Sequence, residues 1–220
     1  MEGLSIPVGD GSVSALLIRP EGAKALYLFA HGAGAGMRHK AMASNAEGLA
    51  ERGIATLRYQ FPYMEKGSKR VDPPKVAHAA VRAAAAKTVE LAPDLPLFAG
   101  GRSFGGRMTS QAQAEEPLPG VRGLAFIGFP LHPAGKPGIE RAEHLGRVKV
   151  PMLFVSGARD ALAETDLLKP VVESLGHRAT LHVIADADHS LKIPVRSGRT
   201  PVQAEAEALD AMAEWMLRLS

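Results

Sequence analysis

Short apolar segments alternate with longer alanine-rich segments along most of the chain, and this alternation constrains the fold more than any other feature. The apolar segments are predicted as strands: Val13–Ile18, Ala25–Ala30, Ile54–Tyr59, Leu97–Gly100, Gly123–Gly128, Met152–Ser156 and Thr180–Ile184. The longer segments have the length and composition of helices: Lys40–Arg52, Pro74–Leu91, Phe104–Glu115, Glu164–Leu175 and Pro201–Leu219. Strands that alternate with helices form a mostly parallel twisted sheet with helices on both faces. We therefore predict an α/β fold whose first, hairpin-like pair of strands forms an antiparallel edge.

The composition is typical of one globular domain. Hydrophobic residues make up 46% and charged residues 22% of the 220 residues, and no polar or low-complexity linker divides them. We expect a single domain over residues 1–220. The chain starts without a basic segment followed by an apolar one, and no apolar run approaches the ~18 residues of a membrane span. The expected protein is cytoplasmic and has no membrane partner.

Residue counts and spacings argue against several chemistries. The chain has no cysteine, which excludes disulfides, a thiolate nucleophile and a cysteine-ligated metal. No histidine pair has metal-ligand spacing, so we expect no metal and no cofactor. The 26 basic and 23 acidic residues leave a net charge of +3, too slight an excess to indicate a nucleic-acid partner without a binding motif. Gly32, Gly34 and Gly36 do not have the spacing of a dinucleotide-binding loop.

Four residues that can take part in catalysis come at or shortly after the ends of predicted strands. His31 opens a glycine-rich run that ends at residue 36, and it is expected to hold that run by hydrogen bonding. Ser103, Asp160 and His189 come shortly after three later strands. Ligands of an open parallel sheet bind outside the carboxyl ends of its strands. We therefore expect these four residues to share one edge of the sheet.

The segment Gly101-Arg102-Ser103-Phe104-Gly105 has the pattern of a nucleophile elbow, a sharp turn between a strand and a helix. The serine of such a turn has strained backbone angles. We expect the residues two positions away on each side to crowd against one another, so that both must be small. Gly101 and Gly105 meet that requirement. Glycine and serine are also common in ordinary turns, so the pattern alone does not distinguish a catalytic serine from a surface serine.

The order Ser103, Asp160, His189 suits nucleophilic catalysis by a serine. A serine hydroxyl needs a base to accept its proton, and the base needs a carboxylate that orients it and stabilises its positive charge. Asp160 has an alternative role as the cap of the following helix. Asp186 and Asp188 are rival acids, but they lie so near His189 in sequence that they are less suited to hold its ring from behind.

These motifs resemble the α/β-hydrolase superfamily over nearly the whole chain, from His31 through Ser103 to Asp188-His189-Ser190. The superfamily carries its triad in the order serine, acid, histidine. Within it, four stretches look like the dienelactone-hydrolase-related group that includes proteins similar to subunit 3 of the non-specific lethal chromatin complex: Phe61-Pro62-Tyr63, Gly128-Phe129-Pro130-Leu131, Ser156-Gly157-Ala158-Arg159-Asp160 and Asp188-His189-Ser190-Leu191-Lys192-Ile193. The resemblance implies the α/β-hydrolase fold, with Ser103 as nucleophile, His189 as general base and then acid, and Asp160 as its orienting carboxylate.

Backbone amides are the expected donors to the oxyanion that forms when the serine attacks. The superfamily uses the amide after the nucleophile and one from the loop after an early strand, here Phe104 and Ala33, with Gly34 as the alternative to Ala33. Gly34, Tyr63 and His132 are the candidate substrate contacts. Tyr63 is equally suited to pack in the core, and His132 to be an ordinary loop residue.

The leading hypothesis is a serine hydrolase that cleaves a small-molecule carboxylic ester or thioester through an acyl-enzyme. Residues 129–149 are too few for a large cap domain, so we expect a minimal lid and an open cleft. Two alternatives are a weakly active or inactive interaction module with the same fold and a small-peptide hydrolase. The sequence leaves the acyl preference and the oligomeric state open.

Overall fold

The computed structural model describes all 220 residues and contains one eight-stranded sheet. The strands are β1 (Glu2–Val8), β2 (Gly11–Ile18), β3 (Ala25–Ala30), β4 (Ile54–Tyr59), β5 (Leu97–Arg102), β6 (Val121–Ile127), β7 (Met152–Gly157) and β8 (Ala179–Ile184). They lie side by side in the order β1-β2-β4-β3-β5-β6-β7-β8. The strands from β4 to β8 in this order pair in parallel, and β2 is antiparallel to both of its neighbours. The predicted mostly parallel sheet is confirmed.

Helices cover both faces of the sheet. They are α1 (Lys40–Glu51), α2 (Pro62–Glu65), α3 (Pro74–Leu91), α4 (Phe104–Glu115), α5 (Thr165–Ser174) and α6 (Pro201–Arg218), with short 3₁₀ segments at Glu140–Arg147, Gly176–Arg178 and Val195–Ser197. Buried side chains of α3, α4 and α5 form the core on one face, and those of α1 and α6 form the core on the other. None of these helices has the combination of length and apolarity needed to cross a membrane.

The local sequence explains where these elements form. All residues of β3 and β4 are buried, as expected of central strands whose two faces are both covered. Helix α6 begins at a capping box: the Thr200 hydroxyl accepts from the Gln203 amide, and the Gln203 side chain accepts from the Thr200 amide. Pro201 and Pro74 occupy first-turn positions, where a missing N–H costs little.

The antiparallel edge differs from the prediction in its strand pairing. The hairpin consists of β1 and β2, and β1 was not predicted as a strand. On its other side β2 pairs with β4 and not with β3, the next strand along the chain. In β1 only Ile6 is fully buried, because an edge strand at the rim of the sheet has little core to face. The sequence of β1 therefore has alternating apolar residues, Leu4, Ile6 and Val8, and lacks the continuous apolar run that marks a strand such as β3.

Candidate active site

Ser103 is the single residue between the end of β5 and the start of α4. Ser103 has φ 46° and ψ −115°, a conformation that costs a non-glycine residue about 1–3 kcal/mol. Its amide donates to the Ile127 carbonyl at 3.0 Å, and its carbonyl accepts from the Arg107 amide at 3.1 Å. These bonds hold the serine in a strained turn, which places its side chain at the carboxyl end of β5.

The two glycines of the elbow both lie against the end of β3. A Cβ added at Gly101 would lie 2.3 Å from the Ala30 carbonyl oxygen. One added at Gly105 would lie 2.6 Å from the carbonyl oxygens of both Ala30 and His31. The expectation that these positions must be small is met, and at both of them the nearest atom that an added Cβ would meet is the Ala30 carbonyl oxygen. The elbow packs directly against the backbone at the end of β3, which brings Ser103 next to the glycine-rich loop.

Ser103, His189 and Asp160 form a continuous hydrogen-bonded chain. The distance between Ser103 Oγ and His189 Nε2 is 2.9 Å, and His189 Nδ1 lies 2.8 and 2.9 Å from the two carboxylate oxygens of Asp160. Since a carboxylate only accepts, Nδ1 carries the ring proton and Nε2 is free to accept from the serine hydroxyl. The Asp160 side chain is fully buried, whereas the His189 side chain is 24% exposed. The arrangement can therefore move a proton from Ser103 to His189 at a site that solvent reaches.

The structure separates Asp160 from its rival Asp188 and from the capping role. Besides His189, the Asp160 carboxylate accepts from the Leu162 amide at 2.8 Å, three residues before α5 begins, so it does not cap that helix. The Asp188 carboxylate accepts from the amides of Ser190 and Lys192 at 2.8 and 2.9 Å. It thereby shapes the loop that carries His189 and makes no hydrogen bond to the ring.

His31 holds the glycine-rich loop in place, as expected. Its Nδ1 lies 2.8 Å from the Gly32 carbonyl oxygen, and its Nε2 accepts from the Phe61 amide at 3.0 Å. An amide N–H can only donate, so the proton of the neutral ring resides on Nδ1. The ring is completely buried, and this burial lowers the pKa of His31 to about 4. His31 is therefore neutral at physiological pH and ties β3 to the segment after β4.

The amides near Ser103 differ in whether they are already engaged. The Gly34 amide donates to the Tyr63 hydroxyl oxygen at 3.0 Å. The amides of Ala33 and Phe104 have no hydrogen-bond acceptor within the protein. Phe104 is the first residue of α4, where amides lack an intrahelical partner. Of the two alternatives for the second oxyanion donor, the structure leaves Ala33 free and occupies Gly34.

The sequence model of a family described as an alpha/beta hydrolase domain matches residues 23–217. The chain belongs to the α/β-hydrolase family. The match covers every strand of the sheet except the β1–β2 hairpin, and it includes all three residues of the hydrogen-bonded chain.

Solved structures of other α/β hydrolases share this fold along almost their entire length. A dienelactone hydrolase from Anabaena variabilis is 23% identical, with 99% of this chain and 95% of that chain covered and a TM-score of 0.75. A serine hydrolase without a lid from Xanthomonas campestris is 20% identical, with 97% of this chain and 94% of that chain covered and a TM-score of 0.74. An esterase domain from Rhodothermus marinus is 18% identical, with 99% of this chain and 98% of that chain covered and a TM-score of 0.72.

Two of the predicted substrate contacts have other partners in this hydrolase. His132 is fully buried; its Nδ1 lies 2.9 Å from the Pro133 carbonyl oxygen and its Nε2 lies 2.5 Å from the Glu164 carboxylate. Both ring nitrogens are thus engaged within the protein, and the expectation that His132 touches substrate is not supported. Tyr63 is also buried, but its hydroxyl reaches the exposed Gly34. It remains next to the site.

Sequence reasoning missed the role of Arg102, the residue before the serine. Its guanidinium donates to Asn45 Oδ1 at 2.8 Å and approaches the Ser190 carbonyl oxygen at 3.4 Å, and burial lowers its pKa. Arg102 therefore links α1 to the loop of His189 on the side of the sheet away from α4. The only feature of the sequence that could have indicated this role was the position of Arg102 inside the elbow pattern, because its partners Asn45 and Ser190 are distant in sequence.

The segment between β6 and β7 forms no separate cap. It consists of a loop and the 3₁₀ segment Glu140–Arg147, and its buried residues Leu131 and Leu145 belong to the core on the α3–α4 face. The chain thus packs this segment onto the body of the hydrolase, in agreement with the minimal lid that its length predicts.

Proposed function

We propose that this chain is a serine hydrolase of carboxylic esters that works through an acyl-enzyme on Ser103. The observation that carries the proposal is the hydrogen-bonded chain from Ser103 Oγ through the His189 ring to the buried Asp160 carboxylate. The strained conformation of Ser103 supports it, because strain of this kind is typically retained where function needs it. We further propose that residues 1–220 act as one catalytic domain.

In the proposed reaction, Ser103 Oγ attacks the ester carbonyl carbon while His189 Nε2 accepts the hydroxyl proton. The Asp160 carboxylate stabilises the resulting imidazolium. The amides of Ala33 and Phe104 donate to the oxyanion of the tetrahedral intermediate. As this intermediate collapses, His189 returns the proton to the departing alcohol and the acyl group stays on Ser103. Water then attacks the acyl-enzyme with His189 again as base, which releases the acid and restores the serine.

An ester or thioester of a small molecule suits the site better than a large substrate held by a cap. The segment before β7 packs onto the core and leaves the edge of the sheet without a cap domain. The esterase and the dienelactone hydrolase that share the fold are in keeping with this substrate class. The finer resemblance to proteins similar to subunit 3 of the non-specific lethal complex stays a prediction.

Labelling with a fluorophosphonate and turnover of p-nitrophenyl esters of increasing acyl length test the proposal together. The wild-type protein should be labelled at Ser103 and should hydrolyse at least the short esters. Ser103→Ala should lose labelling and about 10⁴- to 10⁶-fold in kcat, while its circular dichroism is unchanged. The exposed Ser12→Ala is the matched control and should behave as wild type.

Absence of labelling and of ester turnover in the folded wild-type protein would contradict the proposal. That result would favour the alternative of an interaction module that retains the fold. Labelling at a serine other than Ser103 would show that the hydrogen-bonded chain is not the reactive centre.

A further inference from the structure

We propose that the Tyr63 hydroxyl donates a hydrogen bond to the oxyanion, as a third donor beside the amides of Ala33 and Phe104. The inference rests on the proposed function, because it concerns the same tetrahedral intermediate. It assigns Tyr63 a catalytic role in place of a general contact with substrate.

Tyr63 lies between the two segments that bear the free amides. It belongs to α2, the single helical turn after β4 at the carboxyl edge of the sheet. Its ring packs edge-to-face against Phe104, with 6.4 Å between the ring centroids, and lies 6.0 Å from the ring of His31. Its hydroxyl oxygen is 3.0 Å from the amide nitrogen of Gly34, the residue after Ala33. The hydroxyl therefore sits beside one proposed donor while its ring touches the residue that supplies the other.

The hydrogen bond from Gly34 uses only the acceptor capacity of the hydroxyl. A phenol also has one proton to donate, and the Tyr63 hydroxyl has no acceptor for it within the protein. The residue as a whole is only 2% exposed, and its hydroxyl lies against the exposed Gly34, so an acceptor for this proton has to approach from the open side of the site. A donor in such surroundings is costly to leave unpaired, which favours a site where a substrate oxygen completes the bond.

The surroundings also keep this proton on the phenol and hold the phenol oxygen in place. Burial raises the pKa of Tyr63, and this outweighs the hydrogen bond from the Gly34 amide, which lowers it; the Asp72 carboxylate, which accepts from the Tyr63 amide at 3.0 Å, also raises it. The hydroxyl is therefore protonated wherever a histidine base can function. Because the Gly34 amide already points at the oxygen, it fixes the position of the phenol before substrate arrives. A donor held in advance costs no reorganisation when the negative charge develops.

Tyr63→Phe removes the hydroxyl and keeps the ring packing. We expect kcat for a p-nitrophenyl ester to fall by about 10²-fold, the usual effect of losing one oxyanion donor, with KM changed by less than about threefold. Tyr59→Phe is the matched control: Tyr59 is a buried tyrosine of the same aromatic cluster, and its hydroxyl has no bond to the glycine-rich loop. Its kcat should stay within about twofold of wild type. An unchanged kcat in Tyr63→Phe would overturn the proposal.

A second variant separates donation to the oxyanion from mere support of the loop. A fluorinated tyrosine incorporated at position 63 has a more acidic phenol, which still accepts from the Gly34 amide when ionised but can no longer donate. We expect its kcat to match or exceed that of wild type at low pH and to fall as the phenol ionises, with no such fall in wild type over the same pH range. If kcat persists through that ionisation, Tyr63 only holds the loop and the proposal fails.

Fluorophosphonate labelling distinguishes this failure from failure of the proposed function. A Tyr63→Phe protein that is labelled at Ser103 and turns over esters at the wild-type rate would overturn the role of Tyr63 alone. A wild-type protein without labelling or turnover would overturn the serine mechanism itself.

Discussion

Burial of His31 predicts a specific loss of stability in acid. The folded protein holds this ring neutral, with a pKa lowered to about 4, whereas the ordinary value is 6.5. Between those two pH values the unfolded chain binds a proton at His31 that the folded chain does not. The stabilisation is therefore fully present above pH 6.5 and is lost as the pH falls towards 4. A pKa difference of this size corresponds to about 3 kcal/mol in the free energy of unfolding.

Denaturant unfolding followed by fluorescence of the single tryptophan, Trp215, measures this dependence. Trp215 is 4% exposed and packs against Phe98, so unfolding should change its emission. We expect the wild-type free energy of unfolding to fall steeply from pH 6.5 to 4. His31→Gln, which can still accept from the Phe61 amide, should give a slope shallower by up to about 1.4 kcal/mol per pH unit.

Other histidines supply the controls for this experiment. Burial also lowers the pKa of His144, which contacts the Ser110 hydroxyl, to about 4, so His144→Gln should remove a second part of the slope. The exposed His177→Gln should leave the slope unchanged. A His31→Gln slope equal to that of wild type would refute the reasoning, because the acid sensitivity would then originate elsewhere.

Two further predictions concern the elbow and the acid. Gly105→Ala should destabilise the protein by about 2–3 kcal/mol in denaturant unfolding and reduce ester turnover, because the added carbon would overlap two carbonyl oxygens; Gly146→Ala, which meets no atom within 4 Å, is the control. Equal stabilities of the two variants would contradict the close approach. Asp160→Asn should lower kcat by about 10⁴-fold while circular dichroism stays unchanged, since an amide no longer enforces the proton on His189 Nδ1. An Asp188→Asn variant that lost as much activity would instead favour the rival acid.

The sequence was sufficient for the class of fold because each central strand carries its own signal. Strand β3 is buried on both faces and reads as a continuous apolar run, and the alternation of such strands with helices admits few arrangements other than a covered parallel sheet. The edge carried no such signal. Strand β1 buries little, and the placement of β2 beside β4 depends on pairing between segments distant in sequence.

At the candidate site, the sequence by itself determined which residues follow the strands, and hence that Ser103, Asp160 and His189 could meet at one edge. Only the tertiary structure showed which groups are hydrogen-bonded: Asp160, and not Asp188, bonds to the His189 ring, and the Gly34 amide is engaged whereas the Ala33 amide is free. It also showed that the elbow glycines are small because β3 passes within contact distance of them. The physical reason is that parallel strands end at the same edge of the sheet, which a local pattern predicts. A hydrogen bond instead depends on the positions of two groups that are distant in sequence, and these positions are set only by the tertiary fold.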